Sequence, residues 1–194
     1  MKAMRLAIFG LLLQSAGALA ADADGKFAMK GAGFLPCGVY VQERASQSNV
    51  YYMIGGWLEG YLSAYNRFAA DTFDVASFQS LELMLNLIDQ HCQDNPDDRL
   101  FGVIDALLAD FAESRIKTES IRVRIEEGPR QTQLYRETIS RIQSKLAEKG
   151  LYHDEIDGRY AEAVKSAIMA YQSDIGFEMT GFPDQATLWR LLRE

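Results

Sequence analysis

Apolar residues fall in helical register over most of the chain. Val50, Ile54, Trp57, Tyr61, Tyr65 and Phe68 recur at spacings of three and four and predict one long amphipathic helix. Phe78, Leu81, Leu85 and Ile88 predict a second, ending near Cys92. Asn95-Pro96-Asp97-Asp98 reads as a helix start, with a capping Asn, Pro at the first helical position and acids in the first turn. Leu100, Ile104, Leu107, Leu108 and Phe111 then face one core. Gly55, Gly56 and Gly60 interrupt the long helix, and each costs about 1 kcal/mol relative to Ala. The expected reason is another backbone packed closely there. Gly31, Gly33 and Pro36 keep the lead-in irregular.

The period changes over 112–133. Ile121, Val123 and Ile125 alternate with Arg122 and Arg124, the pattern of a half-buried strand, and Glu126-Glu127-Gly128-Pro129 breaks it. Helical register returns with Tyr135, Ile139, Ile142 and Leu146, stopped by Gly150. Tyr160, Val164, Ala167, Ile168 and Tyr171 form the next helical face, stopped by Gly176. Thr180-Gly181-Phe182-Pro183-Asp184 turns the chain, with Asp184 placed to cap a last helix through Thr187, Leu188, Leu191 and Leu192. The expected fold is mainly α: a helical domain over 21–111, a connector over 112–133 and a three-helix unit over 134–194.

The first twenty residues are expected to be removed. A basic start, Met1 to Arg5, precedes an apolar run from Leu6 to Leu13, and Ala18-Leu19-Ala20 is a small-x-small site before Ala21. That order is a secretory signal peptide, so the mature chain is expected in the periplasm without a membrane span. Export gives the two cysteines, Cys37 and Cys92, a simple reading as one disulfide. A metal site on Cys37, His91 and Cys92 has poor ligand spacing, so neither metal nor cofactor is expected.

The net charge is −7, and −9 without Lys2 and Arg5, the wrong sign for nucleic acid or an anionic bilayer. It is unevenly placed. Residues 21–111 hold five basic against thirteen acidic side chains, a balance of −8. The connector holds five against four, +1, and residues 134–194 hold eight against ten, −2.

Two resemblances follow. Cys37, then Gly56-Trp57-Leu58-Glu59-Gly60-Tyr61 on a helix, then Cys92 and Pro96, resemble the small periplasmic helical domains of the HdeA and Rap1a/Tai immunity types. Such domains imply protein binding, as chaperone or toxin inhibitor. The second is closer. Ile142-Gln143, Leu146, Gly150-Leu151-Tyr152, Ile156-Asp157-Gly158-Arg159-Tyr160, Ala163-Val164, Ala167-Ile168, Tyr171-Gln172, Gly176-Phe177, Thr180-Gly181, Asp184 and Ala186-Thr187-Leu188 resemble, in order and spacing, the peptidoglycan-binding domain type 1. Ala161 and Ala163 stand where that pattern has Gly and Thr.

The resemblance implies peptidoglycan as ligand and a three-helix module. Its candidate contacts are Tyr152 and Tyr160 for sugar faces, Arg159 for a peptide carboxylate, and the Asp157-Gly158 turn with free N–H groups at a helix start. Gln172 joins them, although Asp157, Gly158, Tyr160 and Gln172 also suit turn and core.

Catalytic machinery is sparse. There are two histidines, one per half, with no HExxH and no G-x-S-x-G. A calcium loop aligned on Asp157-Gly158 would begin at His153 and end at Val164, which are not its ligands. Glu59 is the one candidate general acid, for the alternative of a small wall hydrolase. The expected function is an exported, non-catalytic peptidoglycan-binding protein whose N-terminal domain binds, inhibits or chaperones another exported protein.

Overall fold

The computed structural model describes residues 21, 22 and 24–193, so the expected signal segment lies outside the described residues. The lead-in forms a 3-10 turn, Gly31–Phe34, and then α1 (Cys37–Ser46). Sequence spacing did not announce α1. Its first turn is held from outside, by Cys37 and Gly38 N–H groups donating to the Asp98 and Pro96 carbonyls at 2.8 Å each. The segment 95–99 is therefore a turn that receives α1, not the helix start expected of it. Asn95 ends α3 (Leu81–Asp94), and α4 (Leu100–Phe111) begins with Arg99 at its N-cap.

The long helix is present as α2 (Asn49–Phe68), with the Ser48 hydroxyl accepting from the Tyr51 N–H. Its glycines do not meet another backbone. A β-carbon at Gly56 or Gly60 would find open space, and one at Gly55 only Leu81 at 3.7 Å. Close approach occurs in the lead-in instead. Trp57 lies against Gly31 and Gly33, where a β-carbon on Gly33 would sit 2.8 Å from its ring, and its indole N–H donates to the Lys30 carbonyl at 2.7 Å.

One core holds Tyr40, Ile54, Leu58, Leu85, Ile88, Leu100, Ile104, Leu108 and Phe111, all from α1–α4. The Tyr40 hydroxyl donates to the Leu85 carbonyl at 2.6 Å, and burial pushes its pKa up to about 12. The Cys37–Cys92 disulfide is present, with Cα atoms 4.7 Å apart, and joins the start of α1 to the end of α3.

The expected strand is β1 (Arg122–Glu127), and it pairs antiparallel with β2 (Arg130–Tyr135) across a Gly128-Pro129 turn. Gly128 has φ +56°, as the first central residue of a tight hairpin requires. Tyr135, expected on a helix face, instead ends β2, because its pairing with Arg122 continues the ladder up to the start of α5 (Arg136–Glu148). Then come α6 (Glu162–Asp174) and α7 (Gln185–Arg193). Gly150 and Gly176 end α5 and α6 at φ +72° and +74°, as expected of left-handed stops. A second core gathers Ile139, Ile142, Leu146, Val164, Ile168, Tyr171, Leu188 and Leu191, together with Ile125 and Leu134 of the hairpin.

Phe78 joins that second core. It was expected on α3, but it lies in the segment before that helix. Around it the two halves meet. Ser80 N–H donates to Gln185 Oε1 at 2.8 Å, Gln185 Nε2 donates to the Phe78 carbonyl at 2.9 Å, and the Thr138 hydroxyl donates to the Ser77 carbonyl at 2.8 Å. Arg141 donates to the Ser114 and Arg115 carbonyls, Arg193 pairs with Asp110, and Trp189 meets Phe111 edge-on with ring centres 6.3 Å apart. Asp74 accepts from the Tyr135 hydroxyl at 2.8 Å and from Asn66 at 3.1 Å.

Candidate functional site

Two loops follow α5 and α6, and each is built around one buried glutamine. Gln143 lies four residues after Ile139, in the apolar register of α5, and has no exposed surface. Its Oε1 accepts the Gly158 N–H at 2.8 Å. Its Nε2 donates to Asp157 Oδ1 at 2.9 Å, to the Tyr152 hydroxyl at 3.1 Å and to the Arg159 carbonyl at 3.2 Å. Gln172 lies four residues after Ile168 on α6 and is equally buried. Its Oε1 accepts the Gly181 N–H at 2.8 Å, while Nε2 reaches the Phe182 carbonyl at 3.1 Å and the Thr187 hydroxyl at 3.1 Å.

The two clasps repeat in detail. Gly158 and Gly181 have φ +69° and +68°. A β-carbon on Gly158 would lie 2.8 Å from the Arg136 carbonyl oxygen, and one on Gly181 would lie 3.2 Å from that of Lys165. Each contact falls seven residues before the clasping glutamine, so both loops cross their helix at the same height. Only glycine combines that backbone angle with that approach.

The geometry relocates several expected contacts. Tyr152 is 6% exposed, with its hydroxyl donating to the Glu155 carbonyl at 2.8 Å, and Gln172 is fully buried. Both side chains are packed inside the domain. The N–H groups of Gly158 and Arg159 are not free either, since Gln143 and Asp157 Oδ1 accept them. Tyr160 is half-buried, and its hydroxyl donates to the Gly181 carbonyl, tying one loop to the other. Burial pushes its pKa up strongly. What stands exposed at the turn is Asp157 and Arg159, paired at 3.6 Å, with the Arg159 side chain 76% exposed. Gln143 and then the Arg159 N–H hold the Asp157 carboxyl below its usual range.

Gln143 was not among the candidate residues. Its signal was a polar side chain inside an apolar register, which marks a buried group with hydrogen bonds to make.

α7 is capped as its sequence predicts, with Asp184 Oδ1 accepting the Thr187 N–H at 2.8 Å. α6 starts without a side-chain cap, because Ala161 occupies that position. Glu59 stands on the exposed face of α2.

A family profile described as "Putative peptidoglycan binding domain" matches residues 135–191. The chain carries a C-terminal peptidoglycan-binding domain. The peptidoglycan-binding domain thus spans α5, α6, α7 and both clasped loops. No curated protein matches the chain. A solved structure, the crystal structure of SltB3 from Pseudomonas aeruginosa in complex with NAG-anhNAM-pentapeptide, is similar at 23% identity and a TM-score of 0.30. The alignment covers 57% of this chain and 27% of that one, so the chain spans about a quarter of that protein's length. Among the described residues, no helix is long and apolar enough to cross a membrane, and no group of three or more His, Cys, Asp and Glu side chains is placed to hold a metal ion.

Proposed function

We propose that this is an exported, wall-associated protein without hydrolytic chemistry of its own. The peptidoglycan-binding domain holds the polymer, and the α1–α4 half binds, inhibits or chaperones another exported protein. The match over residues 135–191 carries the wall-binding half of this reading. Within that domain Arg159 is the contact for a peptide carboxylate, since its guanidinium is exposed at a turn that Gln143 holds rigid. Asp157 sets its orientation. Tyr160, the next residue, is half-buried and is the sugar-facing contact.

Several features favour a protein partner for the other half. Its balance of −8 suits a basic surface and speeds encounter with one. Tyr52, Met53 and Phe68 stand more than half exposed along α2, which is where apolar contact with a partner would form. The order of basic, apolar and small residues before Ala21 supports export to the periplasm.

Sedimentation of the mature chain with purified sacculi, run beside zymography on the same polymer, tests both halves. The expected result is a pelleted protein that leaves the polymer intact. Protein left in the supernatant at moderate salt would remove the wall-binding reading. A cleared band would replace the non-catalytic reading with that of a small hydrolase.

A further inference from the structure

The hairpin β1–β2 lies almost wholly before the matched residues, yet it is built onto the peptidoglycan-binding domain. Opposed residues of an antiparallel pair share a face. Val123, Ile125 and Leu134 form the inward face, and Ile125 and Leu134 are 2% exposed in the domain's core. The tip is fastened at two points, by Glu127 to Lys165 of α6 at 2.6 Å and by Arg130 to Glu178 of the second clasped loop at 3.4 Å.

The opposite face has a different character. It carries Arg122, Arg124 and Glu126 against Tyr135, Gln133 and Gln131. Tyr135 is covered by Phe73, with ring centres 5.9 Å apart, and by Arg122, whose guanidinium lies 4.5 Å from its ring centre. The four remaining side chains are exposed and none is apolar. Arg124 donates to Gln131 Oε1 at 3.0 Å and pairs with Glu126 at 2.5 Å. Arg124, Gln131 and Gln133 line an open hollow of about 380 Å³ together with Thr132, which belongs to the inward face opposite Ile125.

A face whose exposed groups are a guanidinium, a carboxylate and two carboxamides, with no apolar anchor, is poorly suited to a folded protein partner, whose interface needs a desolvated centre. It suits a hydrated polymer of amides, hydroxyls and carboxylates. Carboxamides donate and accept, so they serve peptide and N-acetyl groups alike. Charge agrees: on this face Arg122 and Arg124 stand against Glu126, a balance of +1. The exposed Arg124–Glu126 pair is weak enough to exchange for a ligand carboxylate.

We propose that the outer face of the hairpin is a second part of the peptidoglycan-binding surface. Arg124 pairs with a stem-peptide carboxylate, and Gln131 and Gln133 hydrogen-bond amides of the peptide or sugar. This rests on the wall-binding reading of the C-terminal domain and extends its site beyond residues 135–191.

The test is co-sedimentation of the mature chain with purified sacculi, comparing wild type with the double variant Arg124→Gln, Gln133→Ala. A Lys26→Gln variant removes one positive charge in the N-terminal half as a control. Loss of a charge-assisted contact should weaken binding about tenfold in the double variant and reduce its sensitivity to salt. The control should bind as wild type does. Because both altered side chains are exposed, melting temperatures should stay together. A double variant that binds like wild type, or a control that weakens as much, overturns the proposal while the wall-binding reading stands. A wild type that does not pellet overturns both.

Discussion

Gln143 and Gln172 do for two irregular loops what a ladder of backbone bonds does for a helix. Each side chain satisfies backbone groups that the loops would otherwise bury unpaired. Gln172→Ala leaves the Gly181 N–H and the Phe182 carbonyl without that partner, and should cost about 3 kcal/mol. Thermal melting measures it, and a loss under about 0.5 kcal/mol would mean that water substitutes for the side chain. Asp157 gives the same clasp a pH dependence. Its carboxyl is held below the usual 3.8, by Gln143 first and then by the Arg159 N–H. The charged form is therefore favoured in the fold. The stability it contributes is present above pH about 4 and is lost as pH falls through the lowered value. Asp157→Asn should flatten the acid side of the melting profile below pH about 4 and leave the neutral side with a constant offset. An unchanged acid limb would mean that other carboxylates govern it.

Covalent and hydrogen-bonded constraints act next, on whole elements. The disulfide closes a sequence separation of 55 that contains α2 entire, and it fixes the start of α1 to the end of α3. Reduction should destabilise the protein by about 4 kcal/mol on the chain-entropy model. Denaturant midpoints with and without reductant check this, and coincident midpoints would count against it. Helices that bury one face were legible, since the spacing of Val50 to Tyr65 or Ile139 to Leu146 is set by that face, although Phe68, in the same register, is exposed. α1 was not, because its start depends on carbonyls of Pro96 and Asp98, sixty residues on. Asn95, Pro96 and the two acids made 95–99 look like a helix start, but the Pro96 and Asp98 carbonyls accept from α1 and the segment is a turn. β2 was hidden because Arg-Gln-Thr-Gln shows no alternation of apolar and polar, and its partner strand supplies the order. At the site, the sequence marked the Asp157-Gly158 turn. It did not reveal that Tyr152 faces inward, and it left Gln172 open between ligand contact and core, because burial of a polar group depends on partners brought from elsewhere.

Over the molecule as a whole, the two halves share a boundary rather than a tether. Trp189 packs against both cores, Phe78 crosses from one half to the other, and Gln185, Thr138 and Arg141 bind carbonyls or N–H groups of the opposite side. Trp189→Ala should cost about 2–3 kcal/mol and split one calorimetric transition into two, the earlier belonging to the half less able to stand alone. Two resolved transitions in the wild type would show that the boundary does not couple the halves. The absence of a slack linker has a mechanical consequence. A flexibly strung pair of domains explores a volume and finds its second target by chance encounter. Here a molecule seated on α1–α4 would ride at one height and one angle above the strand gripped by the other end. If α1–α4 binds a partner as proposed, the chain would work as a bracket: it would gain nothing from search and would select for cargo whose shape already fits that fixed offset.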